Sequence, residues 1–481
     1  EKCINAMKDL GGGGLSCAVS ETAESLGIGI ELDVNNVHTR ESGLSPDEIM
    51  ISESQERMLI ITSKQKLPKL RQICDKFRVT CSTIGHVKND KMMHVKKAKK
   101  TLALLPAEFV ACAPLLDRKK IKPKYLKQIK KENKTKKTLD YSKTILKLLS
   151  SPNISSKHWV FNQYDHEVGI RTVVKPGLDA SVLRLDNEKF LSAKIDGNPK
   201  HCYLDPRQGA IGCFEEACRN VVCTGANPIG MVDHLQFGNP EDPEIFWTFM
   251  ESLEGLTEYA KFLRIPCVGG KVSFYNETPS GPIKPTPLIG VLGIIDKTPF
   301  VSVSPVDGDY LMIIGKTNDE LGGSEYFEYI HKFIGGVCPS VDFKDSKINM
   351  LTVLSLIKNK LVKSVHDCSK GGFAIAVSEL SIFGNIGCNI DINKMPSAEN
   401  LSSEKKLFSE SNSRYLLVIN QKNIVRVKQF LSKKKILFAV LGKFSGDQFN
   451  VMYKSKNLVK ITVDILQKRY FNGLEDLLKH G

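Results

Sequence analysis

The spacing of apolar and polar positions marks several elements along the chain. Leu15, Ala18, Val19 and Ala23 recur at helical spacing, which predicts an amphipathic helix directly behind four glycines. A short apolar strand is predicted over Leu361-Val-Lys-Ser-Val-His366, leading into Asp367. Tyr310-Leu-Met-Ile-Ile314 reads as a strand, and Leu288-Ile-Gly-Val-Leu-Gly-Ile-Ile295 as a buried one. That last run is among the longest apolar stretches, yet far short of the roughly 20 residues of a membrane helix.

Two of these elements carry nearly the same sequence. Asp9-Leu-Gly-Gly-Gly-Gly14-Leu-Ser-Cys-Ala-Val-Ser-Glu21 returns as Asp367-Cys-Ser-Lys-Gly-Gly372-Phe-Ala-Ile-Ala-Val-Ser-Glu379. A second pair follows each: Ser52-Glu53-Ser54-Gln55-Glu56-Arg57 and Ser409-Glu410-Ser411-Asn412-Ser413-Arg414. The offsets (367 − 9 and 410 − 53) are 358 and 357 residues. A matched pair of motifs at a matched spacing predicts a duplicated domain, because the period is too long for a solenoid.

Composition narrows the class. A chain of 481 residues should hold about three domains of roughly 150 residues. With 41% hydrophobic and 25% charged residues it reads as an ordinary soluble globular protein. Thirteen cysteines without a Cys-x-x-Cys pair read as reduced thiols, not a disulfide frame or zinc site. With no signal peptide, a cytoplasmic location is expected. The net charge of +15 sits largely in the run Arg118-Lys-Lys-Ile-Lys-Pro-Lys124 to Lys134-Thr-Lys-Lys137. Such a run is more often a solvated linker or surface helix than an RNA-binding tail, so neither a nucleic-acid nor a membrane partner is expected. The boundaries read as a first block over 1–113, a lysine-rich connector over 114–157, a middle block over 158–300 and a last block over 301–481.

Strand, glycine turn and helix N-terminus together suit an anion cradle, and a carboxylate in front of it suits Mg²⁺. A single copy would read equally well as a plain glycine turn with an N-capping Asp; two in register favour phosphate and metal. Leu321-Gly-Gly-Ser-Glu-Tyr326 is a further phosphate-like turn. Val268-Gly-Gly-Lys-Val-Ser273 lacks the earlier glycine of a P-loop. No Rossmann fingerprint follows a strand, and no histidine stands near a Gly-x-Ser-x-Gly elbow. Tyr164-Asp165-His166 could transfer protons, or be a hydrogen-bonded structural histidine. Glu53, Ser54 and Gln55 offer donors and acceptors to a polyhydroxylated or amide-bearing ligand, or form an exposed strand edge.

Longer motifs then resemble one family, the large synthetase subunit of phosphoribosylformylglycinamidine (FGAM) synthase, PurL, in the aminoimidazole-ribonucleotide synthetase superfamily. They are Glu48-Ile-Met-Ile-Ser-Glu-Ser-Gln-Glu-Arg-Met58, Ser151-Pro-Asn-Ile154, Tyr164-Asp-His166, Cys202-Tyr-Leu-Asp-Pro206, Glu216-Ala-Cys-Arg219, Cys223-Thr-Gly225, Phe237-Gly-Asn-Pro240 and Gly269-Gly-Lys-Val-Ser-Phe-Tyr-Asn-Glu277. The resemblance implies an α+β fold with duplicated synthetase-like halves. Residues 1–113 would be a first C-terminal-type domain truncated at its front, 158–300 an N-terminal-type sheet domain, and 301–481 a second C-terminal-type domain. The first N-terminal-type domain, with the family's catalytic histidine, would be missing.

The implied reaction is amidation of formylglycinamide ribonucleotide (FGAR), using ATP and ammonia released from glutamine, through an iminophosphate. The implied cofactors are ATP and Mg²⁺, and the implied partners a glutaminase subunit and a small bridging subunit. By motif position Asp9 resembles a Mg²⁺ ligand, Glu53, Ser54, Gln55 and Ser273 resemble substrate contacts, and Asp233 and Gly270 resemble ATP contacts. Asp367 and Glu410 would be second-copy equivalents in a degenerate or structural nucleotide site. The family usually reads Gly-Gly-Asn where this chain has Gly269-Gly-Lys271; lysine carries no acceptor for a metal, which puts a second metal in question. The rival expectation is a non-catalytic nucleotide-binding or assembly subunit. This polypeptide alone is expected to show little synthase activity.

Overall fold

The computed structural model describes residues 3–480 except 115, 131–137, 139, 298, 299, 301 and 303, so the basic stretch at 134–137 lies outside the described residues. Two compact units divide the chain, Glu1–Asp117 and Arg118–Gly481.

The first unit runs β1 (Ala6–Asp9), α1 (Gly14–Leu26), β2 (Gly29–Asp33), α2 (Pro46–Ile51), β3 (Met58–Ile61), α3 (Leu67–Lys76), β4 (Gly85–Lys88), β5 (Met92–Lys97), β6 (Lys100–Pro106) and α4 (Ala107–Ala111). Its strands form a two-stranded sheet, β1-β3, and a four-stranded sheet, β4-β2-β5-β6. The predicted helix is α1, and all four residues that predicted it are buried. It opens on Gly13 and closes on Gly27, both left-handed, with φ of 76° and 65°. Helix α2 starts with Pro46 behind a capping box in which Ser45 and Glu48 satisfy each other's backbone N–H.

The second unit opens with α5 (Tyr125–Ile129), α6 (Tyr141–Leu149) and α7 (His158–Phe161). A sheet layer follows: β7 (Thr172–Val174), β8 (Ser181–Arg184), β9 (Phe190–Asp196), α8 (Pro199–Leu204), α9 (Pro206–Cys223), β10 (Asn227–Gln236), α10 (Pro243–Leu263), β11 (Cys267–Ser273), the short pair β12 (Glu277–Thr278) and β13 (Gly281–Pro282), and β14 (Thr286–Ile295). The strand order is β11-β10-β14-β9-β8-β7. Buried residues of α9 and α10 share a core with one face of this sheet. The last part contains β15 (Tyr310–Ile314), α11 (Phe343–Lys358), β16 (Ser364–Asp367), α12 (Gly372–Gly384), β17 (Cys388–Asp391), α13 (Ser403–Phe408), β18 (Tyr415–Ile419), α14 (Ile424–Lys433), β19 (Phe438–Phe444), β20 (Gln448–Tyr453), β21 (Lys456–Thr462) and α15 (Val463–His480). Its seven strands are ordered β16-β18-β15-β19-β17-β20-β21.

The duplication holds strand by strand. β1 pairs antiparallel with β3, placing Asp9 opposite Met58; β16 pairs antiparallel with β18, placing Asp367 opposite Tyr415. β2 pairs parallel with β5 from Ile30 and Met93, as β17 does with β20 from Cys388 and Phe449. Even the short turns agree: Asp33 accepts from Asn35 N and Asp391 from Asn393 N. In the second copy β15 joins β18 to β19. No strand in the first unit occupies that place among the described residues, and its sheet is accordingly two pieces.

Two sequence expectations meet a different arrangement. The stretch 114–157, read as a connector, carries α6, whose Ile145, Leu148 and Leu149 are fully buried in the second core. A lysine run advertises solvent, but here every third or fourth residue beyond it is apolar and has a core to fill. The unbroken apolar run Leu288–Ile295 predicts a strand buried on both faces; β14 instead buries alternate residues and leaves the other face half-buried. Alternation along a strand, invisible in an unbroken apolar run, decides this.

Candidate functional site

Each motif pair folds into one hydrogen-bonded frame. In the first unit β1 delivers Asp9 to the glycine turn, and Gly13 N–H donates to Glu53 Oε1 at 2.9 Å. Gly14 has φ of 58°, and a Cβ there would run into the Ser52 carbonyl. Arg57 holds the Ser52–Ser54 segment from behind, donating through Nε to Ser54 O at 2.9 Å and through a second nitrogen to Ser52 O. Gly14 N–H closes on Gly11 O at 3.0 Å.

These bonds correct the simplest view of the cradle. Two of its N–H groups, at Gly13 and Gly14, do not point outward for a phosphate; they are spent on Glu53 and on the turn itself. Asp9, Glu53, Ser54 and Gln55 are all exposed. Glu53 Oε2 has no hydrogen-bond partner among the described residues, Ser54 Oγ lies 3.1 Å from Ser52 Oγ, and Gln55 donates to Glu53 O. Oxygen donors on Asp9 and Glu53 around a turn without Cβ atoms at Gly11 and Gly12 fit a hard cation such as Mg²⁺.

The second copy repeats the frame and fills its interior. Gly371 N–H donates to Glu410 Oε1 at 2.7 Å, and Arg414 donates to Ser411 O and Ser409 O at 2.8 and 2.7 Å. Here the carboxylates are buried: Asp367 is 5% exposed and Glu410 4%. Burial alone would raise the Glu410 carboxyl, but His201 at 3.4 Å, Lys200 and the Gly371 N–H hold it below the usual range. The phosphate-like turn at 321–326 is also consumed internally, with Glu325 N–H on Glu410 Oε1 and Gly323 N–H on Gly335 O. Lys370, aligned with Gly12, reaches Asp196 at 2.8 Å and Glu216 at 3.1 Å. Arg219 meets Asp367 at 3.2 Å. Burial works against the Lys370 ammonium, but the two carboxylates raise its pKa well above the usual value. Burial, and then the charge of Asp196, push Glu216 up to about 7.

Four expected site residues lie on the β10–β11 edge of the six-stranded sheet. The parallel register sets Asp233 beside Gly270, His234 beside Lys271 and Gln236 beside Ser273. A Cβ on Gly270 would strike the Asp233 carboxylate, so only glycine leaves that group in place. Alternation sends Asp233 and Gly270 to the helix-covered face, with Met231 and Leu235, while Lys271 and Ser273 share the open face with Val232 and His234. The structure therefore joins Asp233 to Gly270 but separates both from Ser273. Ser273 Oγ is engaged with Asn276 at 3.2 Å. Exposed Lys271 makes no ion pair among the described residues, and its donor-only head does not fit a metal.

Sequence reasoning did not single out Lys370, Asp196, Lys200, His201 or Arg57. Aligning the two copies would have raised the first, since a cation stands where its twin has glycine. Asp196 and Lys200 lie far away in sequence and give no local signal.

Comparison with known proteins follows the same division. Residues 1–97 and 306–454 match the pattern of the AIR synthase related protein, C-terminal domain, and 177–295 that of its N-terminal domain. The PurL subunit of phosphoribosylformylglycinamidine synthase from Methanobrevibacter smithii is 39% identical over 98% of this chain, and that from Thermococcus sibiricus 40% over 99%. The chain spans 65% of the length of each. Among solved structures, T. maritima PurL complexed with FGAR covers 92% of the chain and 62% of its own, with TM-score 0.65 and 21% identity, a likeness that concerns the fold. The two family patterns set a C-terminal-type domain on either side of one N-terminal-type sheet, and the chain belongs to the AIR synthase related protein family.

Proposed function

We propose that the chain is part of the synthetase component of FGAM synthase, converting FGAR, ATP and ammonia to FGAM, ADP and phosphate. The observation that carries this is the likeness to PurL subunits along 98–99% of the chain. In this reading ATP phosphorylates the formamide oxygen, and ammonia adds to that carbon and expels phosphate. A glutaminase subunit supplies the ammonia, and a small bridging subunit joins the assembly.

Charge builds on phosphoryl oxygens, so the protein's work is placement and neutralisation. Asp9 and the free oxygen of Glu53 would hold Mg²⁺, which neutralises phosphate charge when bound. The frame around Gly13 fixes the Glu53 carboxylate. Ser54, Gln55 and Ser273 would orient the substrate, and Asp233, with room left by Gly270, would contact ATP. Lys271 would meet an anionic oxygen directly. The test is ATP- and ammonia-dependent FGAM formation by the full-length protein; no turnover overturns the reading. Asp9→Asn should lower kcat about a hundredfold while the fold persists, and unchanged turnover removes Asp9 from the site.

A further inference from the structure

The second unit contains a cavity of about 260 Å³ lined by none of the residues proposed to bind substrate, ATP or metal. It lies between the first turn of the six-stranded sheet and the β16–α12 layer. Its wall is largely apolar, with Val174, Leu178, Ala180, Val365 and Phe383. One carboxylate, that of Asp179, is set into it and is only 9% exposed. Its Oδ1 accepts twice, from Asp367 N–H and from His366 Nδ1, both at 2.9 Å. Its Oδ2 has no hydrogen-bond partner among the described residues, yet it is not sealed from solvent as Asp196 Oδ2 is.

In direct contact at this wall, one imidazole serves two carboxylates. His366 lies between two carboxylates, Asp179 and Glu379 (3.0 Å from Nε2), and donates to both. An imidazole donating from both nitrogens is the imidazolium, so two negative charges meet one positive. Lys194 acts on Asp179 through space without an ion pair, Lys157 likewise on Glu379, and Lys370 is committed to Asp196 and Glu216. Neither Lys194 nor Lys157 touches the carboxylate it acts on, so Asp179, which lines the cavity, keeps one oxygen without a hydrogen-bond partner among the described residues.

We propose that this cavity binds a small organic monocation, an amine, amidine or guanidine, whose N–H head meets Asp179 Oδ2 and whose apolar body lies against Val174, Ala180, Val365 and Phe383. The volume falls below the roughly 300 Å³ at which drug-sized pockets begin, so the ligand has about ten heavy atoms. Because Asp179 Oδ1 also holds the Asp367 N–H, the occupant lies one carboxylate away from the second glycine turn.

The test is ligand-observed NMR on the full chain with benzamidine, benzamide and benzoate. Benzamidine is expected to saturate one site with a Kd of about 1 mM, and the neutral and anionic isosteres to bind at least about tenfold more weakly. Asp179→Asn keeps an oxygen for the two internal N–H groups and removes the charge; it should weaken benzamidine about tenfold. Leu178→Ala, at the half-exposed mouth, should weaken all three probes alike. Equal binding of the three probes, no saturation by benzamidine, or a folded Asp179→Asn with undiminished affinity overturns the proposal. If that variant fails to fold, the ranking of the three probes on the unaltered chain decides.

Discussion

Lys370 and Gly12 hold the same place in the two copies and create opposite conditions there. The lysine ammonium is held by Asp196 and Glu216 inside the second copy. Lys370→Met should therefore cost roughly 3 kcal/mol in urea unfolding, because breaking a buried pair leaves uncompensated charge. Glu216 adds a pH dependence with a definite sign. Its folded pKa of about 7 exceeds the ordinary 4.5, so between these values the folded state holds a proton that the unfolded state has lost. Stability from this group is complete below about pH 4.5 and is lost as pH rises through about 7. Glu216→Gln should flatten the unfolding free energy across that window; an unchanged slope removes Glu216 as its source. If Asp233 contacts ATP as proposed, Gly270→Ala on the sheet edge should displace its carboxylate and raise the KM for ATP about tenfold with little loss of stability, since β11 is exposed.

At the scale of elements, the glycine turns are mechanical parts more than ligand surfaces. Gly14→Ala would force a left-handed backbone on alanine and drive its methyl group into the Ser52 carbonyl, and should cost about 2 kcal/mol or more. Gly27→Ala, with a similar φ but open space around its Cβ, should cost about 1 kcal/mol. Thermal melts of the two variants compare clash with strain directly. Helix α1 and strand β16 were legible because local periodicity writes them into adjacent residues, and the repeat because two motifs recur at one spacing. The role of Glu53 as the partner of Gly13 N–H was not, because it joins positions 40 residues apart. The opposite facing of Asp233 and Ser273 was hidden for another reason: it depends on strand register, which a motif does not carry.

For the whole molecule, the duplication was readable from motif spacing and the family from the resemblance of the longer motifs, whereas the charge network of the second copy needed the fold to assemble it. The six-stranded sheet leaves Ile195 71% and Val232 39% exposed beside each other across Gly290. An apolar face of this kind should make the chain associate as concentration rises, and Ile195→Lys should reduce that in sedimentation velocity. The frame shared by the two copies has a wider consequence. Gly to Glu, Arg to two carbonyls, and a left-handed glycine against a serine carbonyl form a socket whose bonds are made by backbone and by two fixed side chains. Positions between those bonds, such as 12 and 370 or 55 and 412, can change identity without disturbing the mount. Two copies of one socket could thus drift apart in chemistry, one exposing its oxygens and one neutralising them, while each folded as before.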